Sequence, residues 1–187
     1  MSKSPPKHMR YGFMKNILRI LEAIITKIGD IVGWLNVVLM VIILAQVFLR
    51  YVLSYASIVL EELQWHLFSV CIMIGLSYAL TNNEHVRLDL FYGGFRRRTK
   101  EWIELLGLMF LVLPWCYVIV IHGWDFVAAS WRVSESSNSP AGLCCYWLIK
   151  SFLPFSFLLL FIAALTRMIR AACYLFGMEK DAPYAAK

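Results

Sequence analysis

Four unbroken apolar segments constrain this chain more than anything else in it: Ile31–Leu53, Leu63–Leu80, Ile103–Ile121 and Tyr146–Leu165. Each holds 18 to 23 residues, enough at about 1.5 Å rise per residue to cross a hydrocarbon core about 30 Å thick. Within lipid every backbone N–H and C=O must be satisfied inside the protein, so only helices and closed barrels span. A barrel would show short strands of alternating polarity, whereas these runs are continuous and rich in leucine. The sequence therefore predicts an all-α integral membrane protein with four transmembrane helices. Composition agrees: 60% hydrophobic and 16% charged residues leave too little polar surface for a soluble domain of 187 residues.

The basic residues set the orientation. Six lysines and arginines precede the first span, five lie between spans two and three, and four follow span four, fifteen of the eighteen in the chain. The opposite side holds Arg132, with Arg50 and Lys150 near the helix ends. This asymmetry predicts that both termini are cytoplasmic, and it accounts for the net charge of +6 without nucleic acid. The first apolar run is long enough to remain as a span, so no cleavable signal peptide is expected. The chain divides into a cytoplasmic-face arm over 1–30, a membrane domain over 31–170 and a cytoplasmic tail over 171–187. Residues 1–8 read as disordered. In the rest of the arm Met14, Ile17, Leu18, Leu21, Ile24, Ile25 and Ile28 share one helical face, with Lys15, Asn16, Arg19, Glu22 and Lys27 opposite. An in-plane amphipathic helix bending at Gly29 or Gly33 is expected; the alternative is a simple extension of the first span.

Between spans two and three, Asn82-Asn83 reads as a helix end and Gly93-Gly94 as a turn. Arg96, Arg97 and Arg98 read as an anchor to anionic lipid, with Trp102 as an interfacial aromatic. Pro114 and Pro154 fall inside spans three and four, where proline kinks a helix. The longest external segment joins those spans, is rich in serine, and is bordered by Trp124, Trp131, Tyr146 and Trp147.

The stretch RYVLSYASIVLEELQWHLF holds the charges nearest to hydrocarbon. Gln46 and Arg50 are four apart and share a face, while Glu62, His66, Ser69, Met73 and Ser77 form a stripe on span two suited to helix–helix contact. Chemistry beyond packing finds few residues. Two stacked haems would need paired histidines at membrane depth, and only His66 and His122 sit near the outer side. Cys144 and Cys145 are adjacent rather than spaced as in redox motifs, and a disulfide between neighbours is strained. No metal-binding or nucleophile motif occurs, so neither metal, cofactor nor enzymatic activity is expected. The spans carry no ionisable residue at mid-depth and the halves do not repeat, so a transport route through this chain alone is not expected. An accessory membrane subunit fits best; the alternative is a four-helix membrane redox protein.

A span ending FLRYVL, then EELQWHLF, GLSYAL, EHVRLDLF and finally SWRVSESSNSPAGLCCYWLIKSFLPFSFLLL together resemble the small membrane subunit of tripartite ATP-independent periplasmic (TRAP) transporters. The resemblance runs from about residue 12 to 170. It departs at Cys144-Cys145, where another residue pair is expected. It implies a bacterial inner-membrane protein working with a large multi-span subunit and a periplasmic substrate-binding protein in Na⁺-driven uptake of an organic acid. In that family substrate and Na⁺ residues belong to the large subunit, so none transfers here. Under the resemblance Arg50, Glu61, Glu62, His66 and Gln46 become a helix clamp or subunit interface, with helix-end decoration the alternative for the two glutamates. Trp131, Arg132 and Glu135 become candidates for docking the binding protein, against the alternative of an ordinary solvated loop.

Overall fold

A computed structural model describes residues 7–82 and 96–176, with side chains from residue 15 onward in those ranges except that of Arg97. The expectations for residues 1–6, for Asn83, for the Gly93-Gly94 turn and for the tail beyond 176 lie outside the described residues.

The elements are α1 (Lys7–Val52), α2 (Ile58–Thr81), α3 (Arg97–Gly107), a π-helical turn over Leu108–Val112, α4 (Leu113–Arg132) and α5 (Tyr146–Leu175). No strand occurs among the described residues. Because α3, the π turn and α4 run on without a gap, the chain forms four rods, each long and apolar enough to cross a membrane. The four-span, all-helical expectation is met. The helix ending expected at Asn82 is also present, and its N–H caps α2 through the Tyr78 carbonyl.

The π turn has a local cause. Pro114 follows it, lacks an N–H, and would press its ring on the carbonyl four residues back. Widening the helix by one residue avoids that clash, and the Leu113 N–H bonds to Leu108 O.

The arm differs from the break expected at Gly29 or Gly33: α1 passes through both glycines as one helix of 46 residues, about 69 Å long. Gly29 serves a close approach instead. A Cβ there would lie 2.1 Å from Cδ2 of Tyr78 on α2, so only glycine lets the two helices meet at that height. The buried apolar residues of α1 are Leu18, Ile25, Val32 and Leu39. They recur every seven residues and mark a narrow seam of the coiled-coil type. Ile25 and Ile28 pack in one cluster with Leu80 and Ala164, and Val32 packs in a second with Val70 and Ile74. The seam thus extends well into the arm and holds it to the bundle.

The central helix is α5, which packs on α1, α2, α3 and α4. Its contact face is built from small residues: Ala163, Ala164 and Ala171 are buried completely or nearly so. Without a hydrophobic force between helices in lipid, such residues let backbones come close enough for dispersion to hold them. Pro154 is buried against Gly123 of α4, where an added Cβ would come within 3.0 Å of the proline ring. Two buried hydroxyls turn back on their own helices, Ser77 to the Ile74 carbonyl and Thr166 to Ala163, which leaves neither of them unsatisfied in an apolar setting.

One end of the bundle is tied by charge. Arg167 Nε meets Glu104 Oε1 at 2.7 Å with both side chains nearly buried, and Arg170 Nη2 meets Glu22 Oε2 at 2.5 Å. Arg98 donates to the Leu175 carbonyl at the C-terminus of α5, a favourable place for a cation. These contacts gather the arm, α3 and the end of α5 on the same side. Arg96, expected to meet lipid, stands at the N-terminus of α3 without a side-chain capping bond and is exposed, as is Trp102.

Candidate functional site

The opposite end carries the residues singled out in the sequence. The N-terminus of α2 is set by Ser57, whose hydroxyl accepts from the Leu60 N–H. That start presents Glu62 one turn in, toward the compact loop over 133–145. The Glu62 carboxylate accepts the Ser137 hydroxyl and, at 2.6 Å, the Leu143 N–H. Gly142 permits this fit: a Cβ there would fall 2.2 Å from Ser137 and 2.7 Å from Glu62 Oε1. One turn further along α2, His66 meets the Tyr146 ring edge to face at 5.1 Å. Glu62 and His66 therefore hold the loop and the start of α5 against α2.

Arg50 does not join them. Its side chain is exposed and makes no ion pair with a described residue, while the Glu62 oxygens meet the loop instead. The link between α1 and α2 falls one turn earlier, where Gln64 donates to Gln46. Interhelical amide pairing of this kind fits an apolar setting without an ionic desolvation cost. Glu61 is exposed beside Arg50's end of the bundle. Of the expected group, Gln46, Glu62 and His66 make intramolecular contacts, while Arg50 and Glu61 stay open to solvent or a partner.

The loop is knit at both ends. Ser134 and Cys145 adopt left-handed backbone (φ 47° and 66°), turning the chain out of α4 and into α5. Tyr146 N–H bonds to the Glu135 carbonyl at 3.0 Å, and Ser137 N–H to Leu143 O at 3.0 Å. The Glu135 carboxylate pairs with Lys150, whose ammonium also lies 4.2 Å from the centre of the Phe126 ring. That hydrogen bond, before any other cause, holds the Glu135 carboxyl below the ordinary carboxylate range. Trp131 packs edge to face on Trp147 with centroids 4.3 Å apart, yet remains 59% exposed, and Arg132 beside it is exposed too. Of the three expected docking residues, Glu135 is engaged within the chain; Trp131 and Arg132 present an open aromatic and cationic edge.

An apolar cleft of about 390 Å³ opens between α1, α2, the loop and the start of α5, with Leu63, Val70 and Ile149 among its walls and His66, Cys144 and Cys145 at its polar rim. Among the described residues no cluster of histidine, cysteine or carboxylate could hold a metal ion.

Compared with known families, residues 39–174 match the model described as the DctQ component of tripartite ATP-independent periplasmic transporters, well over half of the chain. The chain belongs to that family. A comparison with curated proteins returns no match. A DctQ component is part of a three-part transporter rather than a member of an enzyme family. The match covers the bundle, the Glu62 latch and the loop, and begins at Leu39, inside α1. The extension before it, with Glu22 and the first three seam residues, lies outside the matched region.

The sequence reading missed Gln64, Ser137, Leu143 and Lys150. Pro140-Ala141-Gly142 was the available signal for a tight turn near the latch; nothing in the sequence pointed to Lys150 as the partner of Glu135.

Proposed function

We propose that this DctQ component widens and steadies the scaffold of the large TRAP membrane subunit, and that its loop edge helps dock the periplasmic binding protein during Na⁺-driven uptake of an organic acid. The observation that carries the reading is the narrow seam of α1. Four residues at seven-residue spacing face the bundle, while Trp34, Val41, Leu44 and Phe48 stay between 57% and 74% exposed. So broad an apolar face needs lipid or another membrane protein against it. Arg50 and Glu61 border this face as the polar contacts of the subunit interface. Trp131 and Arg132 suit an acidic or aromatic patch on the binding protein, since exposed Trp and Arg are the residue types that dominate protein interfaces.

The charge asymmetry supports an inner-membrane orientation with both termini in the cytoplasm. The loop over 133–145 then faces the periplasm, where a binding protein would approach. Arg96, Arg98 and Trp102 then meet the inner leaflet.

Reconstitution tests the reading. The large subunit with and without this chain is placed in liposomes, binding protein and candidate organic acids are added outside, and a Na⁺ gradient is imposed. Uptake that needs the gradient, the binding protein and this chain together is the expected result. Equal uptake without this chain would contradict it.

A further inference from the structure

Five cysteines are present, and three of them, Cys71, Cys116 and Cys173, are buried in helices. Cys144 and Cys145 differ: both are free and exposed, and Cys145 Sγ donates to Cys144 Sγ across 3.3 Å. The sulfurs are held together rather than meeting by chance. Leu143, on one side, is fixed by Glu62; Tyr146, on the other, is fixed by the Glu135 carbonyl and the His66 ring. Cys145 is also set in left-handed backbone, which turns the pair toward the rim of the apolar cleft. Such fixing replaces an encounter between two thiols by a contact already made.

We propose that Cys144 and Cys145 form a vicinal dithiol that closes reversibly to a disulfide, a redox modification site beside the loop latch. Cys144, the acceptor of the thiol hydrogen bond, attacks as thiolate on one sulfur of a disulfide oxidant and releases the first thiolate. The protein then carries a mixed disulfide. Cys145 gives up its proton, attacks Cys144 Sγ and expels the second thiolate. Two protein S–H bonds and the oxidant's S–S bond are lost; one protein S–S bond and two S–H bonds of the reduced oxidant are gained. Closure makes a small ring around one peptide bond, far from relaxed disulfide geometry. The product is therefore easily reduced, which suits a reversible mark better than a permanent cross-link. The periplasmic placement that would expose the pair to disulfide oxidants rests on the orientation proposed above; the chemistry of the pair does not.

The test uses purified full-length protein and 4,4′-dithiodipyridine, followed by mass analysis of the peptide containing both residues. The expected wild-type peptide loses two hydrogens, keeps no pyridylthio group, and regains both hydrogens with mild reductant. Cys144→Ser and Cys145→Ser should each keep one pyridylthio group. Two retained groups on the wild-type peptide, or no reaction at either cysteine, would overturn the proposal. A membrane-impermeant maleimide added to intact spheroplasts separates the compartment from the chemistry. Labelling supports the outer placement, and labelling only after lysis overturns that placement and the orientation proposed for the subunit.

Discussion

The Glu62 carboxylate accepts the Leu143 backbone N–H at 2.6 Å, and so one residue of α2 fixes the entry of the loop into α5. Glu62→Ala removes the acceptor for both Leu143 and Ser137 and should raise protease cleavage within the loop several-fold, with Glu62→Gln intermediate. Timed proteolysis of purified protein reads this. An unchanged cleavage rate in Glu62→Ala would show that the loop is held by other contacts.

Arg50 separates an internal clamp from an interface. It has no ion-pair partner within the described residues, so Arg50→Ala should leave the stability of the isolated chain within about 0.5 kcal/mol of wild type. Recovery of the large subunit should nonetheless fall. Thermal unfolding in detergent and quantitative pull-down make the two measurements.

The buried Arg167–Glu104 pair should behave oppositely. Removing one partner strands the other charge, and Arg167→Ala should cost about 3–5 kcal/mol. The double change Arg167→Met with Glu104→Leu should recover most of that loss. The comparison is read from melting midpoints and folded yield.

The glycines of α1 give a matched pair. Gly29→Ala meets the Tyr78 side chain and should destabilise by about 1–3 kcal/mol. Gly33→Ala meets nothing within 4 Å and should be neutral or gain up to about 1 kcal/mol of helix propensity. Equal effects would mean that α1 and α2 do not approach at Gly29.

Acid should loosen the loop through Glu135. Its carboxyl is held below the ordinary value by Lys150, so its contribution is complete above the unfolded carboxylate pKa and is lost as pH falls through the lower folded value. Fluorescence of the nearby Trp131–Trp147 pair should change in that acid range. Glu135→Gln should remove this step while leaving the neutral-pH spectrum close to wild type.

The rods were legible in the sequence because hydropathy and length alone determine what can cross lipid. Asn82 was legible as an end for local reasons. Half of the α1 seam was legible, since Leu18 and Ile25 lie on the apolar face of the amphipathic arm; Val32 and Leu39 were hidden, because periodicity cannot pick one face of a span that is apolar all round. Gly29 looked like a bend because its contact, Tyr78, is distant in sequence. The same distance concealed Glu22–Arg170 and Glu104–Arg167, whose partners lie 148 and 63 residues apart. At the loop end of the bundle Glu62 and His66 were found by their odd position near hydrocarbon, but their partners were not. Arg50 was the nearest opposite charge in sequence, and the loop's hydroxyl and backbone N–H proved better placed.

The broad exposed face of α1 is the basis of the functional account. A photo-crosslinking residue at Trp34, Val41 or Phe48, set against one at the buried seam position Val32, tests it in cells expressing the whole transporter. Cross-links from the three exposed positions to the large subunit, with little from Val32, are predicted. Cross-links only to lipid from every exposed position, with uptake intact, would contradict the account.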